Sequence, residues 1–296
     1  MSHKRKKIAI LFHEKDRHNV HKYVISTLAE NWRQDGLDVV FLFGVKEFVP
    51  ADLVIVHVDL SVVPDDYLDF ARRYPIAVNG QVKDIRKSTF SHHLVTPDDP
   101  YAGKVIVKSD LNHAGRPELS LNRSFLLARK VNRFLLRKMH RLGSRILPDL
   151  PPLIETPLDY RIYDDVKSVP ASCFSSPNMI VEKFLPEKNN GLYHVRNCSF
   201  LGDRMTWIRL ASKYPIVNFG TRVSMEIIEP DPEIMEIRKK LKFDYGKFDY
   251  VVHGGKVTLL DANKTTGISR RKGSSTPPQL KELSIYRAAG IYAYLV

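Results

Sequence analysis

The chain of 296 residues is 43% hydrophobic and 10% aromatic, which excludes a disordered or fibrous polymer and predicts a globular protein of one or two domains. Its 46 lysines and arginines exceed its 33 aspartates and glutamates by 13, so the surface attracts polyanions, whether nucleotides, nucleic acid or anionic lipid. The two cysteines, Cys173 and Cys198, lack a metal-ligand spacing, so they indicate neither a zinc site nor a disulfide framework and fit a cytoplasmic location.

The first part of the chain alternates apolar runs with amphipathic segments. Its basic start precedes an apolar run too short for a signal peptide, and no run approaches the roughly 20 residues of a membrane span. Buried parallel strands are predicted from Lys7 to Phe12, Asp38 to Phe43 and Leu53 to Val58, and in "PIAVNG". Helices are predicted between the first two strands and from about Pro64 to Arg73. This pattern predicts an open parallel α/β layer over residues 1–80.

After residue 80 the pattern becomes that of an α+β protein. A basic helix is predicted within residues 79–94, and a strand ends at Lys108 before the loop "LNHAGRPE". Residues 120–147 form a strongly basic helical stretch. The strand "MIVEKFLPE", a strand pair, a helix in "DPEIMEIRKKL" and a hairpin that turns at Gly254-Gly255 come next, and an amphipathic helix closes the chain.

The hairpin brings oxygen-bearing side chains together. Asp261 and Asn263 are two residues apart on its second strand and therefore point to one face, and antiparallel pairing brings Asp249 of the first strand alongside. Mg²⁺ prefers such oxygen ligands and often combines carboxylates with substrate phosphates. The alternative is that Asp261 caps a turn and Asp249 pairs with a lysine, and the hairpin alone leaves both interpretations open.

A lysine and a loop suited to phosphate binding lie upstream. Lys108 ends a buried strand, and the loop after it contains Asn112 and Gly115, whose backbone N–H groups suit phosphate oxygens. A surface lysine that merely follows a strand is the alternative. This segment therefore adds to the hairpin signal without deciding it.

Three charged side chains lie on other predicted strands. Glu182 ends an apolar strand, where it is either a purine-edge contact or an exposed acidic strand end. Arg196 and Arg209 alternate with apolar residues, so they either hold a phosphate or carboxylate or belong to solvated strand faces.

Taken in order, "IVKSDLNHAG", "IVEKFLPE", "FLGDR", "YGKFDYVV" and "LLDANKTTG" resemble the ATP-grasp superfamily, which includes D-alanine:D-alanine ligase and the glutamate ligases that modify ribosomal protein. The resemblance covers roughly residues 79–296. It implies an α/β (α+β) protein in which the layer over 1–80 precedes an ATP-grasp domain over 81–296. That domain would consist of two α+β subdomains, a lysine and phosphate-loop part over about 104–185 and a metal-binding part over about 186–296.

The resemblance also implies ligand roles. The metal, Mg²⁺ or alternatively Mn²⁺, would be bound by Asp249, Asp261 and Asn263. ATP would be bound by Lys87, Lys108, Asn112, Gly115, Glu182, Lys183, Phe184, Glu187 and Leu260. Among these, Glu182 and the main chain of Lys183 and Phe184 would recognise adenine, Leu260 would pack under its ring, and Glu187 would contact ribose. Lys247, with Arg196 or Arg209, would stabilise the transferred phosphoryl group.

The sequence departs from the family pattern at two places near the hairpin end. Asp261 stands where the family usually has Glu, which shortens the ligand by one methylene, and Thr266 stands where Pro is usual. The loop after Lys108 also carries fewer glycines than in many relatives. These departures bear on turnover more than on nucleotide binding.

The implied activity is that of an ATP-dependent ligase. It would activate a carboxylate as an acyl phosphate and join it to an amine, the substrates being small molecules or peptides. An ATP-grasp kinase and a non-catalytic nucleotide-binding partner are the alternatives. A nucleic-acid-binding module carries less weight, because a basic helix with Arg129, Arg133 and Arg137 is more often a solvated face. The sequence specifies neither the acid, the amine nor the oligomeric state, a homo-oligomer included.

Overall fold

The computed structural model of the chain describes residues 5–121, 149–268 and 278–295. The basic residues from Arg129 to Arg141, on which the nucleic-acid alternative depends, lie outside these ranges. Within them, the elements form one parallel sheet and two antiparallel sheets. The α/β (α+β) class predicted from the sequence is therefore confirmed.

Apolar runs near the N-terminus form a four-stranded parallel sheet in the order β2-β1-β3-β4. Its strands are β1 (Lys7–Phe12), β2 (Asp38–Phe43), β3 (Leu53–Val56) and β4 (Ala77–Val78). Helix α1 (Val24–Gln34) packs Leu28 and Trp32 against one face of β1, and α2 (Asp65–Ala71) packs on the opposite face. Because both faces are covered, the strands are apolar, as predicted, apart from Lys7 and Asp38 at the starts of β1 and β2.

A small antiparallel sheet follows in the order β6-β5-β7. Its strands are β5 (Val105–Ser109), β6 (Arg161–Tyr163) and β7 (Met179–Lys183). Val105, Val107 and Val181 point to one face and pack with Cys173 of the short helix Ser172–Ser175. The intervening residues of β5 and β7, which include Lys108 and Glu182, therefore share the other face.

A larger antiparallel sheet has the order β11-β10-β9-β12-β13, with β8 also paired to β9. Its strands are β8 (Glu187–Asn189), β9 (Leu192–Leu201), β10 (Arg204–Ser212), β11 (Arg222–Ile227), β12 (Tyr245–His253) and β13 (Lys256–Asn263). Phe248 and Tyr250 cover one face together with Ile234 of the helix Pro232–Lys240. Gly254 and Gly255 turn the β12–β13 hairpin at φ angles of +56° and +78°, which glycine adopts without strain.

The larger sheet and the N-terminal layer share one core. Leu201 of β9 and Tyr245 of β12 pack with α1 and with Ile291, which follows the C-terminal helix Pro278–Ala288. The indole N–H of Trp32 donates to the carbonyl of Ala288 at 2.8 Å. The C-terminal helix thus joins the two parts of the protein.

The prediction of a basic helix within residues 79–94 is wrong for most of that segment. Only α3 (Lys87–Phe90) is helical there. Asn79 has a left-handed backbone at φ 59°, and its buried side chain donates to the carbonyl of Tyr245 at 2.7 Å and accepts from the N–H groups of Asp244 and Tyr245. These tertiary bonds outweigh local helix propensity. A further short helix, α4 (Arg116–Leu121), follows the loop after β5.

No helix among the described residues is long and apolar enough to cross a membrane. Cys173 and Cys198 are both buried and free.

Directly after β3, His57 is enclosed in an aromatic cluster. Its side chain is fully buried, with ring centroids 5.0 Å from Phe12 and 4.9 Å from Tyr23. Neither ring nitrogen has a hydrogen-bond partner among the described residues. Burial, with a smaller contribution from the charge of Lys264, lowers the pKa of His57 to about 3.

We expect this histidine to make the fold sensitive to acid. The unfolded chain binds a proton at His57 below about pH 6.5, whereas the native state excludes it, so the free energy of unfolding falls by about 1.4 kcal/mol per pH unit from about pH 6.5 towards pH 3. His57→Phe removes this contribution. Urea unfolding of both proteins at pH 7, 6 and 5 measures the difference, and parallel pH dependences would contradict the assignment.

Candidate nucleotide and metal site

The register of the β12–β13 hairpin brings the predicted oxygen ligands together. Asp249 lies directly opposite Asp261, and Lys247 lies opposite Asn263. Since alternate residues share a face, these four side chains occupy one face of the sheet. Asn197 of β9, which pairs with Asp249, lies on the same face. The convergence predicted from spacing is therefore present in the structure.

A bulge in β13 separates this polar cluster from an apolar patch. Pairing passes from Asp249 with Asp261 directly to Tyr250 with Leu259, which leaves Leu260 without a partner in the ladder. Leu260 packs with Val195 and Val251, and Phe219 joins the same patch. The structure thus places Leu260 on an apolar surface beside Asp261, as an adenine floor requires.

Lysines neutralise both carboxylates of the hairpin. The Nζ of Lys87 lies 3.0 Å from Oδ1 of Asp261, and the Nζ of Lys247 donates to Oδ2 of Asp249 at 2.7 Å. Lys87 also donates to the carbonyl of Leu111 at 3.1 Å, and the Asn197 amide donates to the other oxygen of Asp249. The sequence-based alternative, in which Asp249 pairs with a lysine, is thus also part of the geometry.

The charges in this cluster stabilise one another. Burial alone would raise the pKa of Asp261, but Lys87, Lys247 and Lys108 together lower it. Burial acts in the opposite direction on the lysines, yet Asp261 raises the pKa of Lys87 and Asp249 raises that of Lys247. Asp261, Lys87 and Lys247 are therefore ionised at neutral pH.

The small sheet supplies the other wall of the site. Lys108 and Glu182 form a buried ion pair on the face that also carries Ile106. The carbonyl of Leu111, two residues after β5, accepts from Lys87, which also contacts Asp261, so the two walls meet at Lys87. Tyr160, just before β6, interacts electrostatically with Lys87, Asp261 and Glu182, and burial raises its pKa to about 12. Lys108 and Glu182 pair with each other, and their roles towards a nucleotide stay predictions.

The loop after β5 has an unusual backbone. His113, Ala114 and Gly115 follow one another at φ angles of 46°, 59° and 69°, a left-handed run in which only the glycine is free of strain. Asn112 is buried, and its N–H donates to Oγ of Ser61 at 2.8 Å. Desolvation and Arg116 lower the pKa of His113, while Asp261 partly offsets them. Strain of this kind next to a charged cluster is typical of a ligand-binding loop.

The main chain assigned to adenine recognition is already hydrogen-bonded in part. The N–H of Lys183 donates to the carbonyl of His93 at 2.9 Å, and the N–H of Phe184 donates to the carbonyl of Lys104 at 2.8 Å. These two donors are committed to the protein. Recognition of adenine at this strand end would therefore use other groups of the two residues.

The structure does not bring Arg196, Arg209 or Glu187 to the cluster. Arg196 pairs with Tyr250, the residue after Asp249 in β12. Because neighbouring residues of a strand point to opposite faces, Arg196 lies on the face opposite to Asp249. Its guanidinium donates to both oxygens of Glu187 at 2.9 to 3.1 Å, and Arg209 lies opposite it in β10. The carboxylate of Glu187 also accepts from the N–H of Val252 at 2.9 Å. These three residues form a structural network on that face.

Three residues near the cluster were not predicted from the sequence. Asn197 was identifiable, because alternation in β9 puts it on the face opposite to Arg196. His113 lies in a loop that was predicted, but its left-handed backbone has no simple sequence signal. Tyr160 reaches the site through tertiary structure alone.

The donor set fits a hard divalent cation. Two carboxylates and a carboxamide share one face, and Asn263 Oδ1 is held by the N–H of Thr265 at 2.7 Å. Among the described residues, no three His, Cys, Asp or Glu side chains are grouped for a metal ion. A cation bound here would therefore depend on Asn263 and on ligand phosphates as well as on the two carboxylates.

Lys87 bonds both to Asp261 of the larger sheet and to the Leu111 carbonyl next to the small sheet, so lysines and carboxylates lie where the two antiparallel sheets meet. Similar solved structures include D-alanine–D-alanine ligase from Bacillus anthracis, 10% identical, with TM-score 0.48 over 98% of this chain and 96% of that one. A RimK-domain ATP-grasp protein from Sphaerobacter thermophilus is 12% identical, with TM-score 0.47 over 97% and 99% of the two chains.

A third similar structure is the macrocyclase MdnC from Microcystis aeruginosa, bound with precursor peptide MdnA. It is 8% identical, with TM-score 0.48 over 97% of this chain and 99% of that one. No family model and no curated protein matches the sequence.

A double-mutant cycle tests the Lys87–Asp261 pair. Asp261→Asn leaves the buried Lys87 ammonium without its counter-charge, so we expect the ligand-free protein to lose about 3 kcal/mol in urea unfolding. Lys87→Met combined with Asp261→Asn should recover most of this loss. Asp69→Asn, in the exposed pair with Arg72, is the control and should change little. Additive losses in the double variant would show that the pair is not coupled.

Proposed function

We propose that this protein is an ATP-dependent ligase that activates a substrate carboxylate as an acyl phosphate and joins it to an amine. The observation that supports this proposal best is the cross-strand pair of Asp249 and Asp261, beside Asn263 and neutralised by Lys87 and Lys247. Such a site binds a metal–polyphosphate and neutralises the charge that moves during phosphoryl transfer.

Different residues of the chain would contact the metal, the phosphates and the base. Asp249, Asp261 and Asn263 would hold Mg²⁺, or alternatively Mn²⁺, which when bound supplies charge neutralisation at the β- and γ-phosphates. Lys87 and Lys247 hold the carboxylates in place and are themselves suited to phosphate oxygens. Leu260 offers an apolar surface for the base.

Direct transfer needs no protein nucleophile. The substrate carboxylate oxygen attacks the γ-phosphorus, the bond to the β–γ bridging oxygen breaks, and ADP leaves. The amine nitrogen then attacks the acyl carbon, phosphate leaves, and the amine proton passes to solvent. Burial raises the pKa of Cys173 to about 11 and also raises that of Cys198, so neither thiol is a nucleophile at neutral pH.

Several features of the site favour the alternative that the protein binds a nucleotide without catalysis. Asp261 is one methylene shorter than the usual family residue and is paired with Lys87, and Arg196 and Arg209 lie on the far face of the sheet. An active enzyme would therefore stabilise the transferred group with Lys247 and the loop that carries His113. An ATP-grasp kinase that stops at the phosphorylated product is the second enzymatic alternative.

We expect Mg-ATP to stabilise the protein through Asp261. At a concentration a hundredfold above Kd, a ligand specific for the native state adds about 2.7 kcal/mol. Thermal unfolding with ATP alone, with Mg²⁺ alone and with both measures this increment. Asp261→Ala should abolish the part that requires Mg²⁺, whatever its effect on the ligand-free protein.

Asp203→Ala is the matched control for this experiment. Asp203 lies in the turn between β9 and β10, and its side chain is exposed. This variant should keep the full Mg-ATP increment. Absence of the increment in the wild-type protein, or its persistence in Asp261→Ala, would refute the proposed site.

Product analysis separates the ligase from its alternatives. With candidate acids and hydroxylamine in place of the amine, a ligase should release ADP and form a hydroxamate, because hydroxylamine captures an acyl phosphate. A kinase would instead give a stable phosphate ester, and a non-catalytic protein would release no ADP above background. Hydroxamate formation should be lost in Asp261→Ala and kept in Asp203→Ala.

A further inference from the structure

One turn of the N-terminal layer contacts both sides of the candidate site. This turn, Asp59 to Ser61, follows β3. The Nζ of Lys264 donates to the carbonyl of Leu60 at 2.6 Å. The adjacent Ser61 accepts the N–H of Asn112 at 2.8 Å and donates its own N–H to Glu118 at 2.8 Å. The hairpin end and the loop after β5 are thus held by consecutive residues.

Lys264 directly follows the metal-ligand candidate Asn263. Its side chain is fully buried, so contacts within the protein fix the position of the ammonium group. The next residue, Thr265, donates its N–H to Asn263 Oδ1 at 2.7 Å and its hydroxyl to Asp59. The orientation of the Asn263 carboxamide therefore depends on how residues 264 and 265 dock on the turn.

Backbone pairing extends the same contact. The N–H of Val24 donates to the carbonyl of Thr266 at 2.8 Å, and the N–H of Ile268 donates to the carbonyl of Lys22 at 2.7 Å. Tyr23 completes the joint, because its hydroxyl donates to Asp59 at 2.9 Å. The strand end that carries Asp261 and Asn263 is fixed against the N-terminal layer over several residues.

A buried lysine is a costly way to fill this space. Its long side chain loses up to about 2 kcal/mol of rotamer entropy on burial, and its charge must be desolvated. Asp59, Glu118 and Asp84 provide opposite charge around it. Methionine has a similar length without the charge, so what the ammonium adds is the bond to the Leu60 carbonyl and the attraction of these carboxylates.

We propose that Lys264 is a positioning residue for the metal: it sets Asn263 and Asp261 at a fixed distance from the loop Asn112–Gly115 by anchoring the hairpin to the turn that also holds that loop. This inference rests on the proposed Mg-ATP site. Lys264 itself touches neither metal nor nucleotide. Substitution of Lys264 should therefore weaken the binding of metal–ATP more than the binding of metal-free ATP.

Binding of Mn-ATP and of metal-free ATP tests this role. The free Mn²⁺ signal in electron paramagnetic resonance gives the affinity for Mn-ATP, and titration calorimetry in EDTA gives that for ATP alone. Lys264→Met should weaken Mn-ATP binding about tenfold, as loss of a residue that orients metal ligands does, and change metal-free ATP binding less than about threefold. Lys264→Arg, which keeps the cation, should restore most of the Mn-ATP affinity.

Lys256→Met is the matched control, because Lys256 begins the same strand but is exposed. It should bind both ligands as the wild type does. Circular dichroism and urea unfolding establish that each variant is folded. If Lys264→Met does not fold, Thr265→Val removes the hydroxyl bond to Asp59 without burying or removing a charge, and it should show the same selective loss.

The outcomes are distinct. Equal losses of Mn-ATP and metal-free ATP affinity, wild-type binding in a folded Lys264→Met, or no rescue by arginine would each overturn the positioning role while leaving the proposed site intact. Failure of the wild-type protein to bind Mn-ATP would overturn the proposed function, and this inference with it.

Discussion

The neutralisation of two facing carboxylates is the constraint on which the site depends. Antiparallel register places Asp249 directly opposite Asp261, and partial burial strengthens the repulsion between two negative charges at that separation. Lys87 arrives from α3 and Lys247 from β12 itself, so the charge balance requires the segment between the N-terminal layer and the small sheet to fold back on the hairpin. The cluster therefore belongs to the tertiary structure and not to the hairpin alone.

Strand alternation then determines which other residues take part. One face of the large sheet carries Asn197, Lys247, Asp249 and Asp261, and the opposite face carries Arg196 with its carboxylate partner. A shift of one residue along β9 would exchange Asn197 and Arg196 between the two faces. The arginines thus stabilise the sheet, and the positive charge next to Asp249 and Asp261 comes from Lys247 and Lys87.

Local patterns in the sequence were sufficient for the strands of the N-terminal layer and for the β12–β13 hairpin, because burial on both faces and alternation leave direct signals. The same alternation, applied to β9, would have separated Arg196 from Asn197. Contacts between distant segments could not be predicted this way: Tyr160 and the turn at Asp59 reach the site only through the packing of sheets. The prediction of a helix within residues 79–94 failed for the same reason, because the side chain of Asn79 bonds to Asp244 and Tyr245, far along the chain. The fold brings the metal-ligand candidates together with Lys87 and Lys247 and leaves Glu187 on the other face, but the roles of all these residues stay predictions.

The hydrophobic cores show which parts of the molecule share buried apolar residues. Leu201 and Tyr245 of the large sheet share a core with α1 and the C-terminal segment, whereas the small sheet packs its valines in a core of its own. Polar contacts such as that between His93 Nε2 and Thr258 Oγ1, at 3.3 Å, join the small sheet to the hairpin. Among the described residues, the buried clusters of the small sheet and of the hairpin have no member in common, whereas separation of the N-terminal layer would expose Trp32. Lys108 is therefore carried by a sheet whose buried valines form a cluster of their own.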